Sequence, residues 1–484
     1  MATSIPDVDV RVTDGALGLI DTSAQTTTAK VGVATAGEPN RVYAFTEKET
    51  LQATLVGGPV VEAAADSLND AGGTVLVVPV APSIASTIGT VTRTGSTAGP
   101  TTPALTVSGT PKDGFEVVLD IVQGGPRGTA SFRVATDGGD TFSPELSTPL
   151  AGAYLLEGTG LTLNFGLGTY VAGDRYAFTC TPPGFNATDL FGAFGALLAD
   201  ARKWKLAHIV GAPTSGTDAA KASASAALAA AVGSKMAEAA KAHRYARALV
   251  EAPDVADKAL VDAYASFVDA RVAIAAGYIE HLSALSGRIY KRSAAWPIAT
   301  RAAKVPISQD LAWIGAPEGP LPSSVRSLYR DERKTPALDA ARFVTLRTVI
   351  GRRGFFVTNP NSMAGTTSDY SLLQNGFVID EACAASYDAM LDYLSAQIPV
   401  DAKTGRIDEV FAAAAEAKVT SKVAALVLQP RHVTALAVQI NRTDNILSSK
   451  KLRWKVRCVP YAYPKVVEVE IGFVNPALVT LPPI

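Results

Sequence analysis

The sequence is short of the residues on which most enzyme chemistry depends. Its 484 residues include three cysteines and four histidines. Cys180, Cys383 and Cys458 are odd in number, far apart and without C-x-x-C spacing. That excludes a disulfide framework and leaves three reduced thiols. His208, His243, His281 and His432 show no metal-ligand spacing and no H-E-x-x-H. His208, inside an apolar run, reads as a satisfied core residue. Charge of one sign is also missing: 44 Lys+Arg stand against 45 Asp+Glu, a formal net charge of −1. Such a chain has no global field to draw in nucleic acid or an anionic membrane. It also has little long-range repulsion to oppose the stacking of many copies. No apolar run reaches the roughly 18 residues of a membrane span, so direct membrane insertion is not expected. Met1–Gly15 carries acidic residues and no apolar stretch, so it does not read as a secretory signal. These features imply synthesis and assembly in the cytoplasm.

What is present is a globular composition, 48% hydrophobic and 18% charged, long enough for roughly two to four domains. Residues 1–30 read as an arm. Val8, Val10 and Val12 alternate with Asp7, Asp9 and Arg11 at strand period, and a Gly/Thr-rich linker follows. Residues 31–81 read as the first part of an α/β core. It has strands from Val31 and Arg41, a helix over Pro59–Asn69 stopped by Gly72-Gly73, and an apolar strand Thr74–Val80. From residue 82 to 188 helical period disappears, and short strands alternate with Gly- and Asp-rich turns. This is an inserted all-β, sandwich-like domain. Residues 189–336 resume the strand–helix alternation of a parallel sheet. Residues 337–484 read as a C-terminal α+β domain. At its end Lys451, Arg453, Lys455 and Arg457 alternate with Leu452, Trp454, Val456 and Cys458. Then Val467, Val469, Ile471 and Phe473 alternate with Glu468, Glu470 and Gly472. Paired antiparallel, the basic face of the first strand would lie beside the acidic face of the second.

Catalytic signatures are weak throughout. Gly211-Ala-Pro-Thr-Ser-Gly-Thr-Asp218 resembles a phosphate loop, but Thr217 stands where the lysine belongs. The simpler reading is a strand-to-helix loop with Thr217 or Asp218 as N-cap. No nucleophile, acid–base pair, metal site or cofactor site rises above background, and no enzymatic activity is expected. The basic row Lys451–Arg457 lacks interleaved exposed aromatics, which disfavours nucleic acid as its partner.

Leu55-Val-Gly-Gly-Pro-Val-Val-Glu-Ala-Ala-Ala-Asp-Ser-Leu-Asn-Asp-Ala-Gly-Gly-Thr-Val-Leu-Val-Val-Pro-Val80 and Gly354-Phe-Phe-Val-Thr-Asn-Pro-Asn, together with the order of parts, resemble contractile tail sheath proteins of phages and injection systems. The resemblance implies a structural subunit that polymerises helically around an inner tube and contracts to drive that tube through a target envelope. It implies baseplate and tail-terminator or cap proteins as further partners, and a final place in a virion tail or extracellular particle. It also implies exchange of terminal strands between subunits, here Val8, Val10 and Val12 at one end and Val467, Val469 and Ile471 at the other. The alternative for both segments is that they edge their own sheet. Lys451, Arg453, Lys455 and Arg457 are then candidates for contact with the tube or a neighbouring subunit. A non-contractile, self-assembling virion or surface-layer protein is the alternative from another class.

Overall fold

The computed structural model describes residues 27–95 and 103–473. The chain divides into two compact units, one up to Tyr387 and one from Asp388.

The first unit is organised by one six-stranded sheet. Its strands are β1 (Thr28–Gly32), β2 (Tyr43–Phe45), β3 (Val75–Pro79), β4 (Leu206–Val210), β5 (Arg247–Glu251) and β6 (Val272–Ala275), in the order β6-β5-β4-β1-β3-β2. All neighbours are parallel except β2, which runs antiparallel to β3. β1, β3, β4, β5 and β6 are buried along their whole length. That is the pattern of parallel strands covered on both faces. One face packs on Ala187–Ala199, α2 (Asp218–Lys241) and Asp257–Tyr264 through Val31, Ile209, Val250, Val232 and Leu260. The other packs on α1 (Pro59–Asp70) through Val75, Val77, Val60 and Val61, and on Trp296 of α3 (Ala295–Lys304).

Local chemistry explains the element ends. α1 begins with Pro59 in its first turn after Gly58 at φ 103°. A Cβ on Gly58 would lie 3.0 Å from the Val33 carbonyl, so the close approach of this helix start to β1 requires glycine. At α2, Thr217 Oγ1 accepts the Ala220 N–H at 3.3 Å, an N-cap, while Asn186 and Asp189 form a capping box on Ala187–Ala199.

Besides a two-stranded pair of Gly125–Pro126 with Thr169–Tyr170, two larger antiparallel sheets lie between β3 and β4 in sequence. One contains Phe115–Gln123, Ser131–Ala135 and Arg175–Thr181; the other contains Leu105–Gly109, Ala153–Leu156 and Leu161–Phe165. They share a core in which Phe132 of one sheet meets Phe165 of the other with ring centroids 4.9 Å apart. A further sheet, Tyr278–Leu282 with Ile289–Ser293 and Val325–Leu328, sits against α1. Ser283 Oγ donates to Glu62 at 2.6 Å and Ser324 Oγ to Asp70 at 3.3 Å.

Two sequence boundaries differ from the observed ones. β1 begins at Thr28, so the last residues assigned to the arm are part of the central strand; Lys30 hid this because a lysine reads as solvated. The last domain was placed from residue 337, yet Leu338, Phe343 and Met363 are buried in the core of the first unit. α4 (Leu373–Leu391) runs across the division at Tyr387.

The second unit holds α5 (Glu409–Val427) and a two-stranded ribbon of β7 (Ala435–Ile440) and β8 (Trp454–Val459). Its core gathers Ile407, Ala412, Ala415 and Ile440, with Tyr393 and Trp454 packed beside them. Asp408 caps α5 by accepting the Phe411 N–H at 2.9 Å. The antiparallel pairing expected between Lys451–Cys458 and Val467–Phe473 does not form. β8 pairs with β7, joining the apolar faces of Trp454 and Ile440 over α5.

The tightest point of the sheet gives a test. A Cβ on Gly32 would fall 2.6 Å from the Val210 carbonyl, which is backbone and cannot swing away. Gly32→Ala should lower the unfolding free energy by about 1–3 kcal/mol through overpacking. Chemical denaturation measures this directly, and an unchanged midpoint would mean that β1 and β4 have slack.

Candidate assembly surfaces

Function was expected at the two chain ends and along one basic strand. Val8, Val10 and Val12 lie outside the described residues. At the other end, Val466–Phe473 belongs to no strand, and Val467, Val469, Ile471 and Phe473 are all exposed, Ile471 to 90%. An alternating apolar segment left in water with its backbone unpaired is a template for another strand. The nearby ribbon is equally open: β7 and β8 pair only with each other among the described residues, so each has a free edge.

Of the basic row, Lys455 and Arg457 stand exposed on β8, and Lys451 and Arg453 precede the strand. Arg453 Nη1 is 2.9 Å from Asp444, whereas Lys451, Lys455 and Arg457 make no ion pair among the described residues. Trp454, Val456 and Cys458 turn to the half-buried face. The row therefore presents three cations without an ion pair among the described residues, two of them, Lys455 and Arg457, on the ribbon itself.

The places where enzyme chemistry was sought are occupied by structure. The Gly211–Asp218 loop leads into the Thr217 cap, and Phe185 packs where a Cβ on Gly211 would point, 3.2 Å away. Ligands of doubly wound sheets sit beyond the carboxyl ends of the strands at the point where strand order reverses. Here that point falls between β1 and β4. No group of three or more His, Cys, Asp or Glu side chains is arranged to hold a metal among the described residues. Nor is any helix among them long and apolar enough to cross a membrane.

One cluster was not anticipated. Lys30, His208 and Glu251 form a buried row across β1, β4 and β5. Lys30 Nζ lies 3.2 Å from His208 Nδ1, and His208 Nε2 lies 2.9 Å from Glu251 Oε1. Trp296 Nε1 donates to Glu251 Oε1 at 2.8 Å and the Gly211 N–H to Oε2 at 3.1 Å. A lysine can only donate, so Nδ1 accepts and Nε2 carries the proton toward the carboxylate. The imidazole is neutral and transmits a Lys⁺–Glu⁻ pairing across three strands. Burial and the adjacent Lys30 charge depress His208 to about 4, against the pull of Glu251. Burial lowers Lys30 to about 8, opposed by Asp66 and Glu251. The available signal was ionisable residues inside mainly apolar strands: Lys30 in TAKVG, His208 in LAHIV, and Arg247 and Glu251 at the two ends of RALVE. The row is closed to solvent, which marks it as structural.

Residues 5–361 match the family model described as DUF2586, N-terminal domain. No curated protein matches the sequence. Among solved structures, the chain is similar to one in the PVC sheath complex of an extracellular contractile injection system in the contracted state. The identity is 8%, coverage is 98% of this chain and 98% of that chain, and the TM-score is 0.52. It is also similar to a chain of the anti-feeding prophage baseplate, at 10% identity, with 98% of this chain and 100% of that chain covered and a TM-score of 0.51. The contracted-state baseplate gives 11% identity, 98% coverage of both chains and a TM-score of 0.52. At these identities the likeness is one of fold.

The buried row makes stability depend on acid. His208 has a folded pKa of about 4, and His281, buried beside Arg292, one of about 3, against an ordinary value of 6.5. Between those limits the unfolded chain binds more protons, so the histidine contribution is complete above about pH 6.5 and is lost as pH falls toward 4. Melting temperatures from pH 7 to pH 4.5 should fall, and His208→Gln should flatten that fall. A profile unchanged by the substitution would mean that His208 has the same pKa in the folded and unfolded chain.

Proposed function

The chain belongs to the DUF2586 family, and we propose that it is the structural subunit of a contractile sheath. It polymerises helically around an inner tube and shortens to drive that tube through a target envelope. The observation that carries this reading is the open strand chemistry of the second unit. An apolar, alternating, unpaired segment at 466–473 lies in the same unit as a two-stranded ribbon with free edges. A strand supplied by one subunit to the edge of another gives main-chain hydrogen bonds for affinity and alternating side chains for register. Because donor and acceptor surfaces differ, the contact is head-to-tail and propagates as a helix instead of closing.

Support also comes from the shared fold with a chain of the PVC sheath complex over 98% of both chains. Residues 7–12 are the second donor in this reading, reaching a neighbour through the arm. Lys455 and Arg457, with Lys451 and Arg453 beside them, face the tube or an acidic strand of a neighbour. Contraction is a change between two packings of the same subunits, joined throughout by the exchanged strands. The difference between the packings is small per subunit and summed over many. The chain carries no catalytic step and needs no cofactor in this scheme. Its partners are its own copies, the tube, the baseplate and the cap. It assembles in the host cytoplasm and ends in a virion tail or extracellular particle.

Three variants test the reading by sedimentation. Deleting residues 1–14, or truncating after Lys465, should leave a folded protein by circular dichroism that no longer forms fast-sedimenting polymer. Lys455→Glu with Arg457→Glu should weaken assembly without unfolding, since neither residue makes an internal ion pair. Normal polymer from all three would overturn strand exchange and the basic contact together.

A further inference from the structure

The carboxyl ends of the parallel strands do not meet bare solvent. There the first unit has an open cleft of about 510 Å³ between the core sheet and the inserted sandwich. Pro213, Thr214 and Asp254 come from loops after β4 and β5, and Glu116, Asp137 and Asp140 come from the sandwich. Tyr278, Glu280, Tyr290 and Lys291 of the small sheet, together with Tyr329, close the third side.

The charge in this cleft does not balance. Five carboxylates line it, Glu116, Asp137, Asp140, Asp254 and Glu280, against the ammonium groups of Lys221 and Lys291. Lys291 is engaged: its Nζ lies 2.5 Å from Asp254 Oδ2 and stands 4.7 Å from the Tyr329 ring centroid and 5.4 Å from that of Tyr278. Glu116, Asp140 and Glu280 make no ion pair among the described residues. Asp137 is 6% exposed. Its Oδ1 accepts the Thr141 N–H at 3.0 Å, but its buried Oδ2 accepts no hydrogen bond. The closest cation to it, Arg288 Nη1, is 3.7 Å away and donates instead to the Thr141 carbonyl at 2.7 Å. A buried carboxylate oxygen without a donor is costly, and like charges in a half-closed cleft raise one another's energy. The Tyr329 hydroxyl registers the cluster. Burial raises its pKa first, and Glu280, Glu116, Asp140 and Asp254 all push the same way, so four carboxylates bear on one oxygen.

We infer that this cleft binds an organic cation, an ammonium or guanidinium group carried by a free polyamine or by a lysine or arginine side chain. The carboxylates supply charge-assisted acceptors and the tyrosine faces supply cation–π contact. The seat of Lys291 between two rings shows that these walls already hold an ammonium. A metal ion fits less well, because no three metal-ligating side chains converge here. The cleft's chemistry does not depend on the assembly reading.

Isothermal titration of the full chain tests this with two probes, spermidine for the free polyamine and N-acetyl-argininamide for the side chain. Saturable one-site binding of at least one probe is expected, weakened by salt and by about tenfold or more in Glu116→Gln with Glu280→Gln. Neither residue is buried, so that variant should melt like the parent; Asp137→Asn probes the deeper group. Binding of spermidine alone assigns the site to polyamines, and binding of the argininamide alone assigns it to a side chain. No saturable binding of either probe overturns the inference. So does binding that is unchanged in the folded double variant.

Discussion

A lysine and a histidine side by side on two parallel strands, with a glutamate two residues further along the third, are the constraint on which the core depends. Lys30 and Glu251 are too costly to bury singly, and their partners lie on different strands. The pairing through His208 is satisfied only when Lys30 lies opposite His208, as the register has it. A slip of one residue would turn the three groups to the other face, among Val31, Ile209 and Val250. Hydrophobic burial drives these strands together; the polar row decides how they align. Trp296 and Gly211 tie α3 and the loop after β4 to the same carboxylate. The row thereby fixes the helix layer and the loop as well as the strands.

A rigid core of this kind suits a subunit whose work is mechanical. Motion between packings requires bodies that do not deform and connections that do not break. The buried sheet supplies the first. The proposed connections are strands, which hold by backbone hydrogen bonds and so tolerate reorientation of the bodies they join. The near-neutral net charge of −1 fits dense stacking. The local imbalances in the cleft and along β8 are available for specific contacts.

Features that rest on local chemistry were legible in the sequence. The apolar run of β3, the proline start of α1 and a helix cap at Thr217 or Asp218, of which Thr217 holds the place, were all read from neighbouring residues. So was the alternation of short strands and glycine turns between residues 82 and 188. What depended on distant partners was not. Lys30 and His208 are 178 positions apart, and a lysine within an apolar run does not name its partner. The alternation at 467–473 was visible as a pattern, but alternation alone does not name the opposing strand. The pairing chosen for it does not form; β8 pairs instead with β7, where Ile440 and Trp454 share the core with α5. Leu338 and Phe343 were assigned to the last domain, although their contacts are with the preceding core.

The central claim is that copies of this chain build a tube. Negative-stain electron microscopy of the purified full chain, across a series of concentrations and salt, tests it most directly. The account predicts hollow helical tubes with a lumen wide enough for an inner tube. Closed shells, flat sheets, or a monodisperse small particle under every condition would contradict it.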